Sequence, residues 1–241
     1  MTALRWCAFG DLDSAVWGLA WVHGEAGAGH AVLGSGPAAR VASAELESPG
    51  PDGEWRLRGD GFEIALSPAG DVAGGLIRAT GTLAADGGDR SLDATGWRAA
   101  VDEPPAPGEL DSLRLIAAWF GDDEGLALLA VRPRKARGQE DDEVTAALIE
   151  AGAAGDVADA RLSTTYSGDG VPARAGVELW VSEPPAEDAE AAGERPHRLA
   201  GEVAGPPVAF ADQGIEFSAQ PFRWHSHGRD GAGVYLLGRP G

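Results

Sequence analysis

Apolar and polar residues alternate with a period of two through much of this chain. In residues 54–58 Trp55 and Leu57 share one side, in 62–66 Phe62, Ile64 and Leu66 do, and in 177–181 Val177, Leu179 and Val181 do. Successive side chains of a β-strand point to opposite faces, so this is the pattern of strands with one apolar face. Turn residues separate the runs: Gly10-Asp11, Gly34-Ser35-Gly36-Pro37, residues 48–53, Gly59-Asp60-Gly61, residues 86–89 and 167–170. Many short strands at such spacing predict a barrel or a sandwich. In the first half, strands are expected to begin near Leu4, Ala15, His30, Ala39, Glu54, Phe62, Leu76 and Leu92. An eight-stranded antiparallel barrel has an interior that side chains fill or that holds one small ligand.

Residues 141–154, DDEVTAALIEAGAA, are ambiguous. The acidic start suits a helix N-terminus. Val144, Ala146 and Leu148 also alternate, and the strand is the reading adopted. Residues 102–108, DEPPAPG, carry Pro104, Pro105 and Pro107. Proline has no N–H for a ladder, so this segment is no central strand and reads as the boundary between units at 1–103 and 108–241. Residues 183–196, EPPAEDAEAAGERP, read as an exposed polar loop inside the second unit.

The two units repeat one another. Leu4-Arg5 and residues 13–22 (DSAVWGLAWV) match Leu113-Arg114 and residues 122–131 (DDEGLALLAV), 109 positions later. Residues 61–66 match 176–181, residues 78–83 match 198–203, and residues 92–98 match 215–224 more loosely. Four matches in one order indicate an internal duplication and predict two tandem antiparallel β-barrels.

Charge narrows the partners. With 38 acidic and 19 basic side chains the net charge is -19, a field that repels phosphate backbones and anionic lipid headgroups. Neither nucleic acid nor a membrane is expected as a partner. The basic run 132–137 is followed at once by Glu140, Asp141, Asp142 and Glu143, and so reads as a charge hairpin. The single cysteine, Cys7, lies in an apolar run and reads as a small buried hydrophobe. The N-terminal residues do not have the form of a secretory leader, and no window holds the roughly 20 apolar residues of a membrane helix. A cytoplasmic protein is expected.

The densest chemistry is FRWHSHGRDG, residues 222–231. In a strand His225 and His227 would share a face. They then serve either as general acid/base, with Asp230 to orient and Arg229 to steady negative charge, or as two ligands of a divalent metal. The third possibility is a solvated strand end. There are eight tryptophans, and Trp17, Leu19 and Trp21 share one strand face, an apolar wall of the kind that lines small-molecule pockets. Trp17, Trp21, Trp97 and Trp224 are the candidate ligand contacts. There is no phosphate-binding glycine loop and no nucleophile elbow, and no cofactor is expected.

Two consecutive lipocalin-like barrels rich in tryptophan resemble the family of carotenoid 1,2-hydratases (hydroxyneurosporene synthases) and their AttH-like relatives. The resemblance is one of architecture along the whole chain, and no catalytic motif of that family is matched residue by residue. It implies two calycin-type barrels, an apolar site for terpenoid, isoprenoid or polyketide-like molecules, and hydratase, cyclase, isomerase or Diels–Alderase chemistry. The bland alternative is a non-catalytic binding module whose barrels are filled by their own side chains.

Overall fold

The structure, a computed structural model, describes residues 4–11, 13–23, 26–35, 38–47, 53–69, 75–85, 88–183 and 193–241. Eight strands form the first unit: β1 (Leu4–Asp11), β2 (Val16–His23), β3 (Ala26–Ser35), β4 (Ala38–Glu47), β5 (Trp55–Gly59), β6 (Phe62–Pro68), β7 (Gly75–Ala85) and β8 (Gly88–Val101). Each pairs antiparallel with the next, and β8 returns to β1, so the barrel is closed. Its interior is apolar. Cys7, Phe9, Leu46, Trp55, Leu57, Ile64 and Leu66 fill it. Along β2 the inward positions are Val16, Gly18, Ala20 and Val22, and the small ones make room for larger neighbours. A Cβ on Gly18 would stand 2.3 Å from the Phe9 ring across the β1–β2 pair, so only glycine leaves Phe9 its place.

The second unit holds β9 (Leu110–Trp119), β10 (Gly125–Pro133), a 3₁₀ turn (Gln139–Asp141), β11 (Glu143–Glu150), β12 (Ala153–Gly155), β13 (Val157–Tyr166), β14 (Pro172–Glu183), β15 (Gly193–Val203), β16 (Val208–Asp212), β17 (Ile215–Ser226) and β18 (Arg229–Pro240). The sheet runs β12-β11-β10-β9-β18-β17-β15-β14-β13, with β16 added on β17. It is a nearly closed barrel. Only Asp156 separates β12 from β13, and the two pair to opposite sides, β12 with β11 and β13 with β14. Taken as one broken strand, they give this ring eight places, as in the first barrel. Phe120, Leu126, Leu128, Leu179, Phe222, Trp224 and Tyr235 fill it.

The two-barrel architecture agrees with the sequence reading, and residues 143–150 and 153–155 are strand rather than helix. Two details differ. First, β1 and β2 occupy the same places as β9 and β10, as the first match requires, but the other three matches join strands one place apart: β6 with β14, β7 with β15, and β8 with β17. Every strand with one buried face repeats the same alternation, so similarity does not distinguish a strand from its neighbour. Second, the expected loop 183–196 is narrower, because β14 runs to Glu183 and β15 begins at Gly193; residues 184–192 lie outside the described residues. The charge hairpin is present. Arg132 Nε donates to Asp142 Oδ1 at 2.7 Å, and the Arg137 N–H to Asp141 Oδ2 at 2.6 Å. Among the described residues no helix is long and apolar enough to cross a membrane.

A third apolar cluster lies between the barrels. It joins the outward side chains of β1, β2 and β8 (Trp6, Trp17, Leu19, Trp21, Trp97) to those of β9, β10 and β18 (Leu115, Trp119, Ala127, Leu236). This is why β2 is buried at every position before His23: one face lines its own barrel and the other meets the second.

Candidate functional site

Between the barrels the packing leaves an apolar cleft of about 370 Å³. Trp6, Leu19 and Trp21 wall one side, and Leu115, Phe217 and Leu236 the other, while the proline linker, Pro104, Pro105 and Pro107, runs along it. The volume lies within the roughly 300–1,000 Å³ of small-molecule sites. Trp21 is at the centre of an aromatic group. Its ring stacks on Phe210 with centroids 4.6 Å apart and lies 5.8 Å from Phe217.

One end of the cleft is polar. The Trp21 indole N–H donates to Asp212 Oδ2 at 2.9 Å. His23 Nε2 stands 3.5 Å from the same oxygen, and His30 Nε2 stands 3.6 Å from Oδ1. Asp212 comes from the far end of the chain. The Gln213-Gly214 turn, with φ of 48° and 80°, folds β16 back on β17 and brings the carboxylate against the first barrel. Two residues with positive φ make the tight hairpin turn that suits twisted strands. Asp212 is 15% exposed, against 29% for His23 and 36% for His30, so a carboxylate is held mostly out of water with two imidazoles around it.

The residues singled out from the sequence fall in several places. Trp21 lines the cleft. Trp17 lies over Gly34 beside a small void of about 50 Å³ that Trp119 also lines. Trp97 is packed at the barrel interface against Gly75. Trp224 is sealed inside the second barrel, where Gly201 and Gly233 leave space for its ring. His225 points outward and pairs with Asp230, Nδ1 to Oδ1 at 3.1 Å, both exposed. His227 does not share its face as expected. With φ of 47° it forms, with Gly228, the two-residue turn between β17 and β18. The expected strand alternation ends at Ser226, yet His225 and His227 both line one surface groove of about 530 Å³ across β13, β14, β15 and β17. Among the described residues no group of three or more His, Cys, Asp or Glu stands ready to hold a metal ion.

Arg229 and His227 meet other polar residues instead. Arg229 Nη1 donates to Glu124 Oε2 at 2.5 Å, and Nη2 to the Phe120 carbonyl. The His227 ring lies 5.1 Å from that of His197, which is 1% exposed and has no hydrogen bond at either ring nitrogen among the described residues. Burial, together with His227 nearby, pushes the His197 pKa below its ordinary value. Asp230 lines a separate, polar groove of about 340 Å³ with Asp11, Asp93, Arg78 and Arg223, at the other end of β1 from the apolar cleft. There the Arg78 guanidinium, hydrogen-bonded at 2.7 Å, holds the Asp93 carboxyl below its ordinary range.

Sequence reasoning missed the His23–Asp212–His30 group, because its members are brought together across two barrels. The cleft had a signal. Segments such as VWGLAWV in β2 and GLALLAV in β10 are apolar at consecutive positions, which marks a strand covered on both faces.

No known sequence family matches the chain, and no curated protein is similar to it in sequence. A solved structure does share the fold. The crystal structure of a "putative AttH" from Nitrosomonas europaea superposes with a TM-score of 0.60 over 99% of this chain and 92% of that one, at 12% identity. The likeness is one of fold, and it supports the AttH-like architecture that the sequence suggests.

Proposed function

We propose that the protein binds an apolar small molecule of terpenoid or lipid-like character in the cleft between its barrels. The observation that carries this is the cleft itself: an apolar, tryptophan-walled space of about 370 Å³. The lipocalin-like fold shared with the Nitrosomonas protein agrees with it. Burial of apolar ligand surface drives such binding at roughly 25 cal/mol per Å². Titration with the neutral fluorescent probe N-phenyl-1-naphthylamine tests it. The expected result is saturable enhancement in the wild type. Leu129→Trp, which puts a larger side chain on the cleft wall, is expected to weaken binding by about tenfold or more, equivalent to about 1.4 kcal/mol. Absence of saturable binding to the wild type would sink the reading. Native mass spectrometry of the purified protein checks separately for a retained ligand or metal.

A second reading is favoured by the contact between His225 and Asp230 at 3.1 Å. A histidine hydrogen-bonded to a carboxylate is the arrangement of a general acid/base. In this reading His225, His227, Arg229 and Asp230 carry proton chemistry at the β17–β18 hairpin, on a substrate bound outside the apolar cleft.

A further inference from the structure

The side chains lining the cleft that carry an ionisable or amide group, His23, Asp212 and Gln213, stand together at one end. The rest of the wall is aliphatic, aromatic or proline. Such a site binds its ligand in one direction, because the few polar groups set orientation while the apolar wall supplies affinity.

The chemistry at the polar end is specific. Asp212 Oδ2 accepts the Trp21 indole N–H at 2.9 Å, which anchors the carboxylate. Oδ1 accepts no hydrogen bond among the described residues, and its neighbour His30 Nε2, at 3.6 Å, lies beyond the usual 2.7–3.2 Å range. His23 Nε2, at 3.5 Å from Oδ2, is also slack. A carboxylate oxygen without a protein donor is free to accept a hydrogen bond from a ligand. A carboxylate only accepts, a neutral imidazole offers one donor and one acceptor, and a hydroxyl does both. A hydroxyl at this end donates to the Asp212 carboxylate and accepts from the His23 imidazole N–H. A carboxylate head would face Asp212 across a short gap in a chain of net charge -19. A cationic head would have to share that carboxylate with two imidazoles already turned toward it.

We propose that the ligand of the cleft is an apolar molecule ending in a hydroxyl, with the hydroxyl on Asp212 and the His23 imidazole, and the hydrocarbon between Trp6, Leu19, Trp21 and the linker prolines. This rests on the cleft reading above and adds the head group and the direction of binding.

The test is displacement of N-phenyl-1-naphthylamine from the wild-type protein by 1-decanol, decanoate and decylammonium, which share one chain and differ in the head. The expected result is displacement by decanol at a concentration lower than either ion by about tenfold or more, the effect of one hydrogen bond to a charged acceptor. Asp212→Asn is expected to reduce the preference for decanol over decanoate to within about threefold, by removing the repulsion of the anion. Equal displacement by all three compounds, or tighter binding of either ion in the wild type, overturns the proposal while leaving the cleft reading intact. Failure of the probe to bind at all overturns the cleft reading itself. The wild-type series decides the matter whether or not Asp212→Asn folds.

Discussion

The indole N–H of Trp119 donates to the backbone carbonyl of Gly10 at 3.0 Å, fully buried, and so ties the first strand of the second barrel to the first strand of the first. The two barrels thus share a hydrogen bond as well as an apolar interface. Trp119→Phe keeps an aromatic ring, though a smaller one, removes the donor and leaves a buried carbonyl without its partner. The expected cost is about 1–3 kcal/mol, read as a lower midpoint in urea unfolding. A midpoint equal to the wild type would show that the bond contributes nothing net.

Asp142 sits between Arg114 and Arg132 beside the second barrel. The Asp142 and Arg114 side chains are each 6% exposed, and Arg114 Nη2 donates to Asp142 Oδ2. Burial alone would raise the Asp142 pKa, but the hydrogen bonds from Arg132 and Arg114 outweigh it and hold the carboxyl below its ordinary range. A group with a depressed folded pKa contributes stability above its unfolded pKa and loses that contribution as pH falls through the folded one. The wild type is therefore expected to lose stability on acidification below the ordinary carboxylate range, and Asp142→Asn to remove that part of the loss. At neutral pH Asp142→Ala is expected to cost about 3–5 kcal/mol, because Arg114 is left as an unpaired buried charge. Thermal unfolding between pH 7 and pH 3 measures both.

Cys7 faces the interior of the first barrel and is fully buried. Burial pushes its thiol up to about 12, against smaller opposing effects from an Ala20 backbone hydrogen bond and the Arg98 charge. The thiolate is the reactive form, so the native protein is expected not to react with a disulfide reagent at pH 8. Reaction should begin only as denaturant unfolds the first barrel. Stoichiometric labelling of the native state within seconds would contradict this.

His225 and Asp230 are 59% and 68% exposed, and exposed ion pairs contribute less than about 1 kcal/mol. Separate His225→Ala and His227→Ala variants are expected to bind N-phenyl-1-naphthylamine within about twofold of the wild type, since neither residue lines the apolar cleft. If a substrate is found and one of the two is a general acid/base, that variant loses rate by about 100-fold or more while the probe still binds. Loss of probe binding in either variant would place the site at the β17–β18 hairpin rather than between the barrels.

Period-two alternation and turn residues alone determined the strands, since a strand with one buried face writes its two faces into successive residues. Eight strands were expected in the first barrel and eight are present, although β3 begins at Ala26 and β8 at Gly88, four residues before the expected His30 and Leu92, because their first residues are small or polar and carry no apolar alternation; the burial of Cys7 in its apolar run was legible too. Tertiary structure decided what each apolar face would meet. Trp17, Leu19 and Trp21 alternate as regularly as Trp55 and Leu57, yet the first set faces the second barrel and the second set faces the interior of its own. Alternation identifies two faces without saying which turns inward. That choice follows from how much volume the ring can enclose, and Gly18 leaves space for Phe9 that a tryptophan at its position would take. The same limit hid His23, His30 and Asp212. A separation of 189 positions between His23 and Asp212 carries no local pattern, and they meet only because two closed surfaces dock and the β16–β17 turn reaches across the seam.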